Sequence, residues 1–171
     1  MTIRIRHENS NDIEAIHDVT TSAFLHAPHT GHTEQFIVKA LRQSGALTIS
    51  LVAEEVPSGE IIGHVALSPV TITDGTSDWY GLGPISVHPD HQHQGIGSQL
   101  MNTAIEEVKK IAGKGCVLLG DPNYYQRFGF LPKAGLVLAD VPSEYFQALL
   151  LKGDIPQGEV FYHEAFSATG E

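Results

Sequence analysis

LGPISVHPDHQHQGIGSQL, residues Leu82 to Leu100, joins an apolar run to a helix across a polar loop. The run Ile85-Ser86-Val87 stops at His88-Pro89, and from Gly95-Ile96-Gly97 onward Ile96, Leu100, Met101, Ala104 and Val108 recur at helical spacing. The order is strand, loop, helix. Two glycines at a helix start permit a tight turn and bring bare N–H groups close to an anion, and the positive end of the helix dipole favours the same charge. The stretch suits a phosphate site, although a plain helix entry through glycine satisfies the same spacing.

The commoner phosphate motifs do not fit. Leu100 stands where a dinucleotide fingerprint needs its third glycine, and no Gly-Lys-Ser/Thr triplet is present for a nucleotide P-loop. What remains is Val87-His88-Pro89 followed by Gln92-x-x-Gly95-x-Gly97. Here the chain resembles the GNAT superfamily of acetyl-CoA-dependent N-acetyltransferases, whose pyrophosphate loop reads Gln/Arg-x-x-Gly-x-Gly/Ala after a strand ending in Val-x-Pro. A second match, Tyr125-Gln126-Arg127-Phe128-Gly129-Phe130, is similar to the family's Tyr-x-x-x-Gly-Phe segment. The resemblance runs from Ile3 to Phe130 and is strongest between Leu82 and Phe130.

Length and composition agree with such a protein without singling it out. The 171 residues suggest one domain spanning 1–171, able to bury about two thirds of its unfolded surface. No apolar run is long enough to span a bilayer and no leader pattern opens the chain, so an unprocessed cytoplasmic protein with no membrane partner is expected. The single cysteine, Cys116, cannot form an internal disulfide, which suits a reducing compartment. A formal charge of −10 with no basic patch argues against nucleic acid as a partner and mildly favours cations, amines among them.

Ile3 and Ile5 alternate with Arg4 and Arg6 as a first strand. Asn11 and Glu14 stand at capping-box spacing before a helix through Ile16 and Phe24 that ends near Leu25. Thr33 is positioned to cap a second helix that stops at Gly45. Leu47 to Val56 and Ile61 to Ile72 form a hairpin about Pro57-Ser58-Gly59, and a strand from about Trp79 to His88 extends the meander. Gly83-Pro84 reads as an edge strand or a bulge; the resemblance implies a bulged strand splayed from its neighbour to admit the pantetheine arm. Cys116 to Leu119 is a short buried strand after a helical crossover, so parallel to the previous one. Asn123 to Phe128 forms a short helix ended by Gly129, Leu131 to Glu171 holds two more strands around an amphipathic turn, and the last five residues fray.

The resemblance implies an α/β (α+β) fold: a mixed, mostly antiparallel central sheet with a splayed parallel strand pair and helices on both faces. It also implies acetyl transfer from acetyl-CoA, as co-substrate, to a primary amine of a small molecule or protein, by direct attack in a ternary complex. Backbone groups of Gln92, His93, Gln94, Gly95, Ile96, Gly97 and Ser98 would hold the pyrophosphate, and Ile85, Ser86 and Val87 would pair with pantetheine amides. Tyr125 matches the family's general acid, a phenol being a plausible proton donor to a departing thiolate; Tyr124 replaces it if the helix register differs by one. Glu34 is the candidate base, against the plainer role of an acid at a helix start. Gly81 and Gly83 occupy the strand where some relatives carry a catalytic glutamate, which puts a strand-borne base in doubt. The acceptor pocket would lie between the His26 to His32 loop and the segment after Phe130.

Ten histidines are many for this length. His88, His91 and His93 lack the His-x-x-x-His spacing of a zinc hydrolase, and Pro28 and Gly31 interrupt the His26, His29, His32 series, so no metal is expected. Cys116 lies in an apolar strand without a basic neighbour and is a poor acyl carrier. The rival reading is a non-catalytic acyl-CoA sensor or interaction module. Oligomeric state stays open, a homodimer included.

Overall fold

The structure is a computed structural model and describes residues 2–27 and 30–170. β1 (Thr2–His7) turns Ile3 and Ile5 toward the core, as their alternation with arginine predicts. A 3₁₀ turn follows, and its capping box joins Asn9 and Asp12 rather than Asn11 and Glu14. Asp12 prevails because Arg6 Nη1 holds its carboxylate at 2.7 Å while the Asn9 N–H donates to the same group at 2.7 Å. α1 (Ile13–Phe24) and α2 (Glu34–Ser44) come next. Thr33 caps α2 with its carbonyl, which accepts the Phe36 and Ile37 N–H groups, and its hydroxyl makes no capping bond. Gly45, at φ +79°, ends the helix where expected.

β2 (Ile49–Val56) and β3 (Ile61–Pro69) form the hairpin. The strand expected to continue to Ile72 breaks after Pro69: Val70 gives its N–H to the Trp79 carbonyl and buries its side chain in a separate cluster, and β4 (Thr71–Ile72) joins another sheet. β5 (Trp79–Val87) lies between β3 and β6 (Gly115–Leu119), so it is central and not an edge. Its register against β3 slips opposite Val65 to Leu67, which places Gly83-Pro84 in a bulge where a missing ladder donor does no harm. α3 (Ile96–Lys110) connects β5 to β6, and α4 (Pro122–Tyr125) with a 3₁₀ turn over Gln126–Phe128 leads to Gly129 at φ +94°. The C-terminal region holds three strands where two were expected: β7 (Leu136–Val137), β8 (Phe146–Leu150) and β9 (Gly158–Phe161). Residues 164–167 form a 3₁₀ turn, and the Gly170 backbone reaches the Phe36 ring.

The main sheet runs β1-β2-β3-β5-β6-β8, antiparallel except for β5 with β6, and a small sheet runs β4-β9-β7. Strand alternation turns Leu51, Ala53, Val65 and Leu67 toward α3, whose Ile96, Leu100, Met101, Ala104 and Val108 pack into the same cluster. Each larger aliphatic buried there contributes about 1.5–3 kcal/mol. Val52 and Ala66 face the other way, onto Ile16 of α1 and Val38 of α2. The architecture is the mixed, mostly antiparallel sheet with helices on both faces that was expected. One detail positions everything below: β5 and β6 pair only at Trp79, Tyr80 and Gly81, opposite Gly115, Cys116 and Val117. Beyond that point the parallel pair separates, while the far edge of β6 stays bound to β8 as far as Leu119.

Candidate active site

A cleft of about 570 Å³ opens where β5 and β6 part. Ile85 and Val87, on the α3 side of β5, form one wall, and Tyr124, Tyr125 and Arg127 form the opposite one. The floor is the loop leading into α3. That loop is fastened to the strand by Gln92, whose Nε2 donates to the Val87 carbonyl at 3.1 Å, and it turns through two left-handed residues, His93 at φ +64° and Gly95 at φ +80°. The first intrahelical bond of α3 runs from Gln99 N–H to the Gly95 carbonyl, so the N–H groups of Ile96, Gly97 and Ser98 have no helical partner. No side chain caps this end and no acid occupies the first turn. In a chain of net charge −10, no Asp or Glu among the described residues lines the cleft, and Arg127 is the one permanent cation among those that do. The electrostatics favour an anion.

The expected residues separate as follows. Ile85, Val87, Gln92, His93, Gly95, Ile96, Gly97 and Ser98 all line the cleft. Ser86 and Gln94 do not: Ser86 points to the other face of the sheet, opposite His64 in register, and is buried with its hydroxyl unpartnered. Arg127 was not anticipated. Its signal is the spacing from Tyr124, whose carbonyl it binds through Nε at 2.9 Å while its guanidinium lies 4.3 Å over the ring.

Both tyrosines line the cleft at different depths. The Tyr124 hydroxyl stands near Gly97, at the helix end, where a Cβ on Gly97 would meet it at 3.6 Å. The Tyr125 ring instead lies on Gly120 at the end of β6, so close that a Cβ there would come within 2.3 Å. Glycine at 120 is what lets the ring sit at the strand gap. Burial, the neighbouring Tyr124 and Asp121 push the Tyr125 phenol above its ordinary value, so it stays protonated and able to donate.

Glu34 is not brought to this cleft. It opens α2, where Thr30 Oγ1 donates to Oε2 at 2.5 Å and Oε1 is buried without a partner. At Gly81 the Tyr162 ring fills the space a side chain would need, with a Cβ contact of 2.4 Å, so no acid can stand there. Cys116 is buried and its thiol is pushed up to about 12 by burial, as an inert strand residue would be. Of the loop histidines, His29 lies outside the described residues. His88 caps the turn by accepting the Asp90 N–H, and among the described residues the one convergence of three ligating groups is His91 with Glu55 and the exposed Glu60.

Free helix-end amides beside a gap in a parallel strand pair form a site suited to an anion. The acetyltransferase (GNAT) domain family matches residues 47–132, and the chain belongs to that family. It is similar to a GNAT family acetyltransferase from Brucella melitensis, solved in complex with acetyl-CoA, at 45% identity over 96% of this chain and 98% of the other, with a TM-score of 0.85. It is also similar to the GNAT family N-acetyltransferase YhbS of Escherichia coli, solved with CoA, at 31% identity over 98% of this chain and 93% of that one, with a TM-score of 0.88. In sequence, the uncharacterized N-acetyltransferase YhbS of strain K12 aligns at 35% identity over 108 residues, spanning 63% of this chain and 64% of the relative. Among the described residues no helix is long and apolar enough to cross a membrane.

Proposed function

We propose that the protein transfers acetyl from acetyl-CoA to a primary amine by direct attack within a ternary complex. The observation that carries the reading is the parting of β5 from β6 beside the uncapped start of α3. The diphosphate sits on the N–H groups of residues 95–98, with His93 beside it and Arg127 supplying the counter-charge. The pantetheine arm runs along Ile85 to Val87, where the bulged strand offers backbone groups that β6 does not claim. Similarity to proteins solved with acetyl-CoA and with CoA supports acetyl-CoA as the donor.

The chemistry follows. A neutral amine attacks the thioester carbonyl carbon, and a backbone N–H of β5 stabilises the oxyanion. The C–N bond forms, the C–S bond breaks, and the departing thiolate takes the Tyr125 proton. The acetylated nitrogen releases its surplus proton to solvent, from which Tyr125 is reprotonated. No covalent acyl-enzyme is required.

The test pairs calorimetry with thiol release. Gly97→Trp, whose side chain enters the cleft beside Tyr124 and Val87, abolishes acetyl-CoA binding while the far-UV spectrum is retained. An unchanged affinity overturns the diphosphate placement. Release of CoA thiol and a mass gain of one acetyl group on an amine support transfer; tight acetyl-CoA binding with no release on any amine supports a sensor instead.

A further inference from the structure

A second cavity, about 840 Å³, opens at the carboxyl end of β6. The larger part of its wall is apolar, from Phe24 at the end of α1, Leu119, Pro122, Val141 and Tyr145, and Asp121 and Asn123 supply its polar side chains. Leu119 and Tyr145 are 47% and 44% exposed, large apolar groups left uncovered inside a concavity. Gly120 also lines this cavity, and it is against Gly120 that the Tyr125 ring of the donor cleft rests. Among the described residues the two hollows share no lining residue, and they adjoin across this contact, with the Tyr125 ring on one side and Gly120 on the other. Asp121 is the one carboxylate in the wall, and among the described residues no Lys, Arg or His lines it. Asp121 Oδ1 accepts the Asn123 N–H at 2.8 Å, which leaves Oδ2 for an incoming cation.

We infer that this cavity takes the acceptor, and that the acceptor is a small primary amine with one positive charge and an apolar body, carrying no carboxylate or phosphate. The inference rests on the acetyl-transfer reading and narrows it. Hydrocarbon walls reward an apolar body for each surface removed from water. A single carboxylate pairs with a single ammonium; the further charges of a polyamine or an aminosugar would face hydrocarbon without partners. The carboxylate of a free amino acid would meet Asp121 at like charge with no cation to offset it. Once at the wall, the ammonium loses a proton to water, and the covalent step is the one given above.

The experiment compares 2-phenylethylamine, phenylalanine and spermidine in two ways: initial rates of thiol release from acetyl-CoA, and saturation-transfer NMR with CoA-loaded protein. 2-Phenylethylamine exceeds the other two by at least about tenfold in kcat/KM and is the one bound ligand at equal concentration. Leu119→Ser and Tyr145→Ser, both at part-exposed positions and checked for an unchanged far-UV spectrum, each lower its kcat/KM by about fivefold or more with the KM for acetyl-CoA unchanged. Asp121→Asn, which keeps the cap on α4, weakens 2-phenylethylamine binding and leaves neutral 2-phenylethanol unaffected. Equal or better use of phenylalanine or spermidine, or unchanged kinetics in both serine variants, overturns the inference. If the ranking appears in NMR while no thiol is released, the inference stands and the transfer reading fails; if thiol is released with the ranking absent, the reverse holds.

Discussion

Tyr125 owes its position to an absent side chain. Gly120 leaves the ring room at the strand gap, so Gly120→Ala must push the ring away from a 2.3 Å overlap and lower kcat while leaving acetyl-CoA affinity, read by calorimetry, nearly intact. Tyr125→Phe removes the proposed proton donor and keeps the packing; thiol release falls by about 10²-fold with affinity within twofold of the parent. The motif around Tyr125 was readable as residues, but Gly120 was readable only as a strand breaker, because the requirement for glycine comes from a ring five positions later. A different residue sets the acid sensitivity of the fold. His64 is fully buried, bonded through Nε2 to Ser50 at 2.8 Å, with Glu8 and Arg42 as the charged groups facing it. Burial lowers its ordinary value of 6.5 to about 4, against the pull of Glu8. The unfolded chain thus binds a proton that the folded chain refuses across that window, and stability falls as pH drops from about 6.5 to 4, by up to about 3 kcal/mol. Glu8 adds loss in the same direction at lower pH: burial alone would raise it, but Arg42 and Ser50 hold it below the usual carboxylate range. Thermal melts of His64→Gln show a flatter dependence between pH 7 and 4.5 than the parent.

At the scale of elements, what was legible depended on length and periodicity. α3 repeats its apolar stripe through Val108, and β2, β3 and β5 carry long branched runs, so their existence and order could be read directly. β4 and β7 are two residues each, pair with β9 across long sequence separations, and present no period to detect. Within the loop before α3, the pattern gave the glycines and His93 as candidates but not the backbone conformation of His93, a non-glycine residue at φ +64°. Gly95 at φ +80° is the positive-φ glycine of the turn; Gly95→Ala costs about 1 kcal/mol, measured by urea denaturation, and weakens acetyl-CoA binding as the helix start shifts. The surroundings of the candidate base could not be read from the sequence, for a physical reason. Glu34 at a helix start looks the same in sequence whether it faces a pocket or, as here, turns to Thr30.

For the molecule as a whole, the charge distribution carries more meaning than its sum. Twenty acids against ten bases leave a negative surface, yet the cleft excludes carboxylates and keeps Arg127. The proposed ternary complex, with one substrate in each of the two cavities that adjoin at the Tyr125–Gly120 contact, predicts double-reciprocal plots of initial rate that intersect; parallel lines would indicate an acyl-enzyme instead. Cys116→Ala retains turnover, because a buried thiol pushed up to about 12 holds no thiolate. The fold class and the strand, loop and helix of residues 85–108 were legible before the structure; the lining of the second cavity was not, since it joins the end of α1, the end of β6 and the 141–145 segment, which no local pattern connects.

Past Gly81 the middle of the sheet carries an unsatisfied edge, hydrogen-bonding capacity with nothing alongside it. On the proposed placement a coenzyme there acts as a removable strand, and the folded population follows its supply by mass action, gaining about 2.7 kcal/mol at a hundredfold excess over Kd. Depletion of the donor therefore silences turnover and also uncovers a template for aberrant pairing, so protease survival of this protein in a lysate becomes a gauge of the coenzyme pool.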